Sequence, residues 1–143
     1  MVDVQPFRAI RPNEQLASQV ACLPYDVIDT NEARVESQDN PYSYYHIDRS
    51  EIAFDDDFNP YDPKVYELAN QTLQQFLQKG WLKKEDKPCF YLCELTMDGR
   101  KQTGIAASTS IDDYVNDQIK KHEFTRPAKE QDRINHIKAC DAN

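Results

Sequence analysis

The sequence contains only three glycines in 143 residues, Gly80, Gly99 and Gly104. None of them lies in the charged segment 119–133, so this segment has no Gly-rich loop and is neither a Walker motif nor a dinucleotide fingerprint. The chain also lacks an apolar run long enough to cross a bilayer. Its first residues do not follow the basic-then-apolar order of a signal peptide. These absences predict a cytoplasmic protein with no membrane partner.

Metal-binding patterns are also missing. The four cysteines fit no zinc spacing, and Cys89 and Cys93 are expected on the same face of one strand, packed in the core as reduced thiols. The acidic run 55–57 lacks the glycine and the spacing of a calcium loop, which indicates a solvated loop. The sequence therefore predicts no metal site built from side chains alone.

Positive charge is scarce as well. Twenty-five acidic residues stand against seventeen lysines and arginines, which gives a net charge of −8. Affinity for a nucleic-acid duplex depends on cations that neutralise phosphates. Direct DNA binding is therefore not expected of this chain.

Helix signals are clearest in the middle of the chain. Asp62 followed by Pro63 predicts a helix start, an apolar stripe follows at helical spacing, and Gly80 predicts the end. Asp29 or Thr30 is expected to cap a shorter helix. The run 128–140 is predicted as a further helix, with Ile134, Ile137 and Cys140 among the residues of one face.

Strand signals surround these helices. The aromatic and β-branched run 43–47 predicts a strand, and so does 88–96. Asp98 and Gly99 predict a hairpin turn into a second strand over 100–110, with Gly104 at a bulge or close contact. The fold class is predicted as α+β, a mostly antiparallel or mixed sheet with flanking helices. The chain ends directly after its last predicted helix, so residues 1–143 are interpreted as one domain, the N-terminal part of a longer protein.

Most of the chemistry-bearing residues lie between residues 119 and 133. Thr125 is expected to cap the last helix and Pro127 to occupy its first turn. Backbone N–H groups at such a helix start attract phosphate or carboxylate groups. Six residues of this segment are predicted to bind phosphate: Lys120, Lys121, Thr125, Arg126, Lys129 and Arg133.

Three other residues are candidates for catalysis. Glu123 suits a general base or a magnesium ligand, and His122 could donate a hydrogen bond to a transferring phosphoryl group. Asp26, which follows the constrained Pro24–Tyr25 pair, could orient a substrate amine or hydroxyl. Each has a structural alternative: Asp26 as a turn cap, Glu123 as a salt-bridge partner, and the whole segment as a solvated helix start.

Several short motifs carry a resemblance to a known group. They are residues 6–12, 24–28 and 40–41, Gly80-Trp81-Leu82, residues 119–125, and the pairs Lys129-Glu130 and Asp132-Arg133. Together they resemble the N-terminal part of an uncharacterised prokaryotic family often labelled ParB-like, within the ParB/sulfiredoxin-like group. The sequence departs from ParB proteins and from sulfiredoxins in the phosphate-binding box of each, so neither DNA clamping nor sulfinic-acid repair is implied.

The resemblance implies a phosphate or nucleotide site. The wider group includes kinases of free serine, so the expected activity is phosphotransfer or nucleotide hydrolysis on a small metabolite such as serine, with ATP or ADP and Mg²⁺ as cofactors. The alternative is a regulatory module that senses a nucleotide or binds a partner without catalysis. Replacing Glu123 by Gln separates the two, because only the enzyme would lose turnover while it kept binding.

Overall fold

The computed structural model describes residues 1–121 and 126–142. In chain order its elements are β1 (Val4–Gln5), β2 (Ile10–Pro12), α1 (Ala17–Val20), α2 (Thr30–Ser37), α3 (Tyr45–Asp48), a 3₁₀ turn (Ser50–Ala53), α4 (Pro63–Gln78), β3 (Leu82–Lys84), β4 (Tyr91–Met97), β5 (Arg100–Ala106), β6 (Ser108–Thr109), α5 (Ile111–Val115) and α6 (Pro127–Cys140). The fold is therefore α+β, as predicted. The strands form three two-stranded sheets, β1–β6, β2–β3 and β4–β5, instead of one larger sheet.

The described residues form two compact units. Unit one consists of residues 1–11 and 84–121, and unit two of residues 12–83 and 126–142. The chain passes between the units within β2 and again within β3. Every apolar side chain that is buried in the described residues belongs to unit two.

Helix α4 is the main helix of unit two, and its sequence signals are confirmed. The Asp62 carboxylate accepts a hydrogen bond from Lys64 N at 2.9 Å, and Pro63 occupies the first turn. The stripe of the helix is buried, with Leu73 and Phe76 at 4% and 3% exposure. Gly80 ends the helix with φ of +69°, a conformation that costs glycine little because it has no Cβ.

Helix α2 begins with a complete capping box. Asp29 Oδ1 accepts from Glu32 N at 2.9 Å, and Asp29 N donates to Glu32 Oε2 at 3.0 Å. Of the two predicted caps, Asp29 is the one that the structure uses. The helix packs its Ala33 into a small core with Ile28, Tyr45 and Ile52, against which Cys22 also packs.

The strand predicted over 43–47 is wrong. These residues enter α3, which begins at Tyr45. Tyr45 and Ile47 are 2% and 1% exposed, and the Tyr45 hydroxyl donates to Glu36 and accepts from Leu23 N. Tertiary contacts of these side chains outweigh the strand propensity of a five-residue run.

Unit one is built around the β4–β5 hairpin. Its register is continuous from Tyr91↔Ala106 to Met97↔Arg100, and Asp98 and Gly99 both adopt positive φ, as a type I′ turn requires. The predicted turn is therefore confirmed. Gly104 forms no bulge, and a Cβ built there would meet nothing within 4 Å, so the predicted close contact is wrong.

The hairpin is also more exposed than the sequence suggested. Cys89 and Cys93, expected in the core, are exposed free thiols. Leu92, Leu95, Met97 and Ile105 are each at least 70% exposed. The hairpin is joined to the N-terminal segment through the Tyr91 hydroxyl, which accepts from Ala9 N and donates to Phe7 O.

Candidate functional site

The buried residues of α6 match only in part the predicted face of Glu130, Ile134, Ile137 and Cys140. Asp132 is 8% exposed and Cys140 4%, whereas Ile137 is 38% exposed. Asp132 can occupy a buried position because two groups donate hydrogen bonds to its carboxylate. Tyr66 of α4 donates its hydroxyl to Oδ1 at 2.9 Å, and Arg133 donates to Oδ2 at 2.9 Å.

The side of α6 that carries Asp132 lines a partly open cavity of about 120 Å³ within unit two, here called the α6 cavity. Helix α6 contributes Lys129, Asp132, Arg133 and His136, which recur at helical spacing along its side. The segment 48–51 and Thr30 provide further polar walls. The charged lining residues comprise three cations and three anions: Arg49, Lys129 and Arg133 with Asp48, Glu51 and Asp132.

Arg133 is the residue that connects these walls. Its Nη1 donates to Asp48 Oδ1 at 3.0 Å, its Nη2 and Nε donate to Asp132 Oδ2, and its guanidinium lies 4.4 Å from the centre of the Tyr25 ring. Burial alone would lower the pKa of Arg133, but the hydrogen bond and charge of Asp132 and the charge of Asp48 raise it. Arg133 therefore stays cationic while it joins α6 to α3 and to the segment 24–28.

Arg49 has a similar role on the other wall. Its Nη1 donates to the Tyr25 carbonyl oxygen at 3.3 Å and its Nη2 to Thr30 Oγ1 at 3.0 Å. Its Nε lies 3.1 Å from Glu51 Oε1, which is an ion-pair distance, yet the buried N–H makes no hydrogen bond to any residue that the structure describes. An unsatisfied buried donor costs about 1–3 kcal/mol, and the adjacent Glu51 charge offsets part of that cost.

Two further polar groups complete the lining. His136 Nε2 lies 2.9 Å from the Ile47 carbonyl oxygen, and since a carbonyl only accepts, this nitrogen carries the hydrogen. Burial raises the pKa of Tyr66 to about 12, and the hydrogen bond to Asp132 adds to this effect. Tyr66 is therefore a neutral donor at physiological pH, which suits a buried carboxylate.

Lys129 differs from the two arginines. Among the described residues it forms no ion pair within 4.0 Å, and its Nζ lies 5.9 Å from the centre of the Tyr25 ring. Its ammonium is therefore the cation of the lining that is most available to an added anion.

The residues predicted to bind phosphate do not lie together in the structure. Lys129 and Arg133 line the α6 cavity, whereas Arg126 is exposed just before α6. Lys120 and Lys121 are exposed in unit one, where Lys121 Nζ pairs with Asp117 at 3.2 Å and lies over the Tyr114 ring. Thr125 lies outside the described residues.

Of the predicted catalytic residues, only Asp26 is described. It is exposed in the turn 25–28 and is not one of the residues that line the α6 cavity, although its neighbour Tyr25 packs against Arg133. His122 and Glu123 lie outside the described residues. The sequence did not single out Asp48, Arg49 or Glu51, because no local motif distinguishes them, and it named Thr30 only as a helix cap.

The chemistry of the cysteines and of metals is limited. Burial, with the nearby charges of Asp48 and Glu36, raises the pKa of the Cys22 thiol to about 11, so it is a poor nucleophile at neutral pH.

Within the described ranges, no group of three or more His, Cys, Asp or Glu side chains is arranged to hold a metal ion. None of the described helices combines the length and apolar character needed to cross a membrane.

Comparison with known families gives one match. The model described as "Protein of unknown function (DUF1015)" matches residues 4–143. No curated protein and no solved structure matches the chain.

Proposed function

Since the chain belongs to the DUF1015 family of unknown function, we propose its role from the geometry: the α6 cavity binds the phosphate group of a small metabolite or nucleotide. The observation that carries this proposal is the position of Lys129 and Arg133, one turn apart on α6, with Arg49 on the same cavity. Three cations around one polar cavity suit a phosphate, which accepts charge-assisted hydrogen bonds from several donors.

The size of the cavity limits what can be enclosed. A cavity of about 150 Å³ admits a benzene-sized molecule, so one of about 120 Å³ matches a phosphate group or a molecule the size of a small amino acid. For ATP or ADP, only a terminal phosphate would fit inside, with the nucleoside outside the cavity. Mg²⁺ is commonly bound largely by substrate phosphates and water, so with ATP or ADP it would accompany the phosphates without a dedicated protein cage.

Phosphoryl transfer to a small metabolite such as serine is the proposed reaction, because such transfer requires mainly positioning and charge stabilisation. The ParB/sulfiredoxin-like fold and a part in cytoplasmic metabolism belong to the same proposal. The second candidate is a nucleotide-sensing module without catalysis. This candidate is favoured because Arg49 and Arg133 already pair with carboxylates of the protein. Such pairs hold the cavity walls in place and leave fewer positive charges for a transferring phosphoryl group.

Ligand-dependent thermal stability tests the binding proposal. Inorganic phosphate, pyrophosphate, ATP and ADP are titrated with and without Mg²⁺, and a ligand at a hundredfold excess over its dissociation constant adds about 2.7 kcal/mol of stability. We expect Lys129→Ala to weaken binding about tenfold or more, because a charged hydrogen bond is lost. Lys138→Ala is the matched control, since Lys138 is exposed on the same helix and does not line the cavity.

The outcome decides between sites. A shift that is lost in Lys129→Ala and kept in Lys138→Ala supports the α6 cavity. A shift that is lost only in Lys121→Ala would move the phosphate site to unit one, and the absence of any shift would refute phosphate binding by this chain. If a ligand binds, Glu123→Gln then separates an enzyme from a sensor, because the base is needed for turnover and not for binding.

A further inference from the structure

The charges that line the α6 cavity indicate a second charged group on the ligand, in addition to its phosphate. We propose that the ligand carries an ammonium group beside its phosphate, so that the cavity recognises a molecule with both charges. This inference rests on the proposed phosphate binding at Lys129. It concerns the residues that distinguish an amino-phosphate from a plain phosphate.

The first argument is the balance of charge. Asp48, Glu51 and Asp132 equal the three cations in number, and Arg133 already directs three of its N–H groups to Asp48 and Asp132. A bare phosphate at Lys129 would therefore approach carboxylates as well as cations. A ligand that brings its own positive charge removes that repulsion, because its ammonium can lie against the carboxylates.

The second argument is the hydrogen-bonding capacity left on the carboxylates. Asp48 uses Oδ1 for Arg133, and Glu51 uses Oε1 for Thr30 and Arg49. Among the described residues, Asp48 Oδ2 and Glu51 Oε2 make no hydrogen bond, and both side chains keep part of their surface exposed, at 20% and 14%. An ammonium has three donors and no acceptor, so it complements such oxygens.

The third argument is the net negative charge of unit two. Residues 12–83 and 126–142 contain sixteen aspartates and glutamates and nine lysines and arginines. This excess of negative charge attracts the ammonium and opposes a doubly charged anion. A molecule whose phosphate meets Lys129 while its amine meets Asp48 and Glu51 satisfies both the local and the overall charge.

A pair of ligands with nearly the same shape tests the inference. In 2-aminoethyl phosphate and propyl phosphate, one terminal ammonium is exchanged for a methyl group and the phosphate is kept. We expect calorimetric titration to give a dissociation constant for the amine about tenfold lower than for propyl phosphate. Asp48→Asn keeps the size of the side chain and should remove most of this preference, while propyl phosphate binds as well as before or more tightly.

Glu51→Gln is the second variant, and it is decisive if Asp48→Asn does not fold. Loss of the preference in either folded variant supports the ammonium position. Equal binding of both ligands to the unmodified protein, or a preference that survives both substitutions, overturns the inference and leaves phosphate binding intact. If neither ligand nor inorganic phosphate binds, the proposed function fails and this inference fails with it.

Discussion

The hydrogen bond from Tyr66 to the buried Asp132 gives the sharpest prediction for stability. Tyr66 is 6% exposed and Asp132 8%, and their oxygen atoms are 2.9 Å apart. Replacing Tyr66 by Phe keeps the ring in the core and removes only the donor. Since hydrogen bonds to charged groups contribute about 1.5–3 kcal/mol, we expect Tyr66→Phe to lower the free energy of unfolding at pH 7 by that amount.

The pH dependence tests the burial of Tyr66 together with its hydrogen bond, because burial is the larger cause of the raised pKa and the bond to Asp132 adds to it. The pKa of Tyr66 is raised from 10.0 to about 12 in the folded protein, so the unfolded chain releases this proton first as the pH rises. The associated stability is fully present below pH 10 and is lost as the pH passes through about 12.

Urea unfolding at a series of pH values measures both quantities. The stability difference between the unmodified protein and Tyr66→Phe should be constant from pH 7 to pH 9 and should be smaller at pH 11. The difference isolates Tyr66 because the other tyrosines and the lysines titrate in both proteins. Tyr114→Phe is the control, and its exposed ring should change stability by less than about 0.5 kcal/mol.

A Tyr66→Phe variant as stable as the unmodified protein would refute the reasoning. So would a stability difference that does not change between pH 9 and pH 11. The first result would mean that Arg133 alone satisfies Asp132, and that α6 is not joined to α4 through this bond. The second would mean that the folded protein does not raise the pKa of Tyr66.

Three further substitutions test the fold, each by chemical denaturation. Asp29→Ala removes the capping box of α2 and should cost about 0.5–2 kcal/mol, whereas a cost near zero would mean that the cap contributes nothing. Leu73→Ala leaves a cavity beneath α4 and should cost about 2–5 kcal/mol; a loss below 1 kcal/mol would show that the core can collapse around it. Gly80→Ala places a Cβ at positive φ and should cost about 1–2 kcal/mol, although nothing surrounds the new atom. Gly104→Ala, equally open but not at positive φ, should be neutral, and equal costs at the two glycines would contradict the backbone explanation.

Local signals predicted the parts of the fold that local chemistry determines. Helix α4 was found because an Asp–Pro start, a periodic apolar stripe and a terminal glycine agree over eighteen residues or so. The β4–β5 turn was found because the Asp98–Gly99 pair is suited to positive φ. The run 43–47 was mistaken for a strand because five residues are too few to distinguish the period of a helix from that of a strand. The conformation depends on the contacts of Tyr45 with distant residues.

The site was predicted only where its residues lie close together in sequence. Lys129 and Arg133 were predicted because both lie near the start of the predicted helix, and in the structure they share one side of α6. Asp48, Arg49 and Glu51 reach the same cavity from a segment about eighty residues earlier, and no spacing rule connects them to α6. The burial of Cys140 was predicted, but that of Asp132 was not, because Asp132 is stabilised by Tyr66, a partner that the sequence of the helix does not reveal.

The distance in sequence between Tyr66 and Asp132 also matters while the chain is being made. Sixty-six residues separate the two partners, and most of unit one is encoded between them. At a synthesis rate of about 5–20 residues per second, Tyr66 leaves the ribosome roughly 3–13 s before Asp132 does. During that interval α4 has its core side facing solvent where α6 will later pack. The partly synthesised domain therefore leaves this side of α4 uncovered for several seconds. During that time, neighbouring nascent chains or chaperones can contact it.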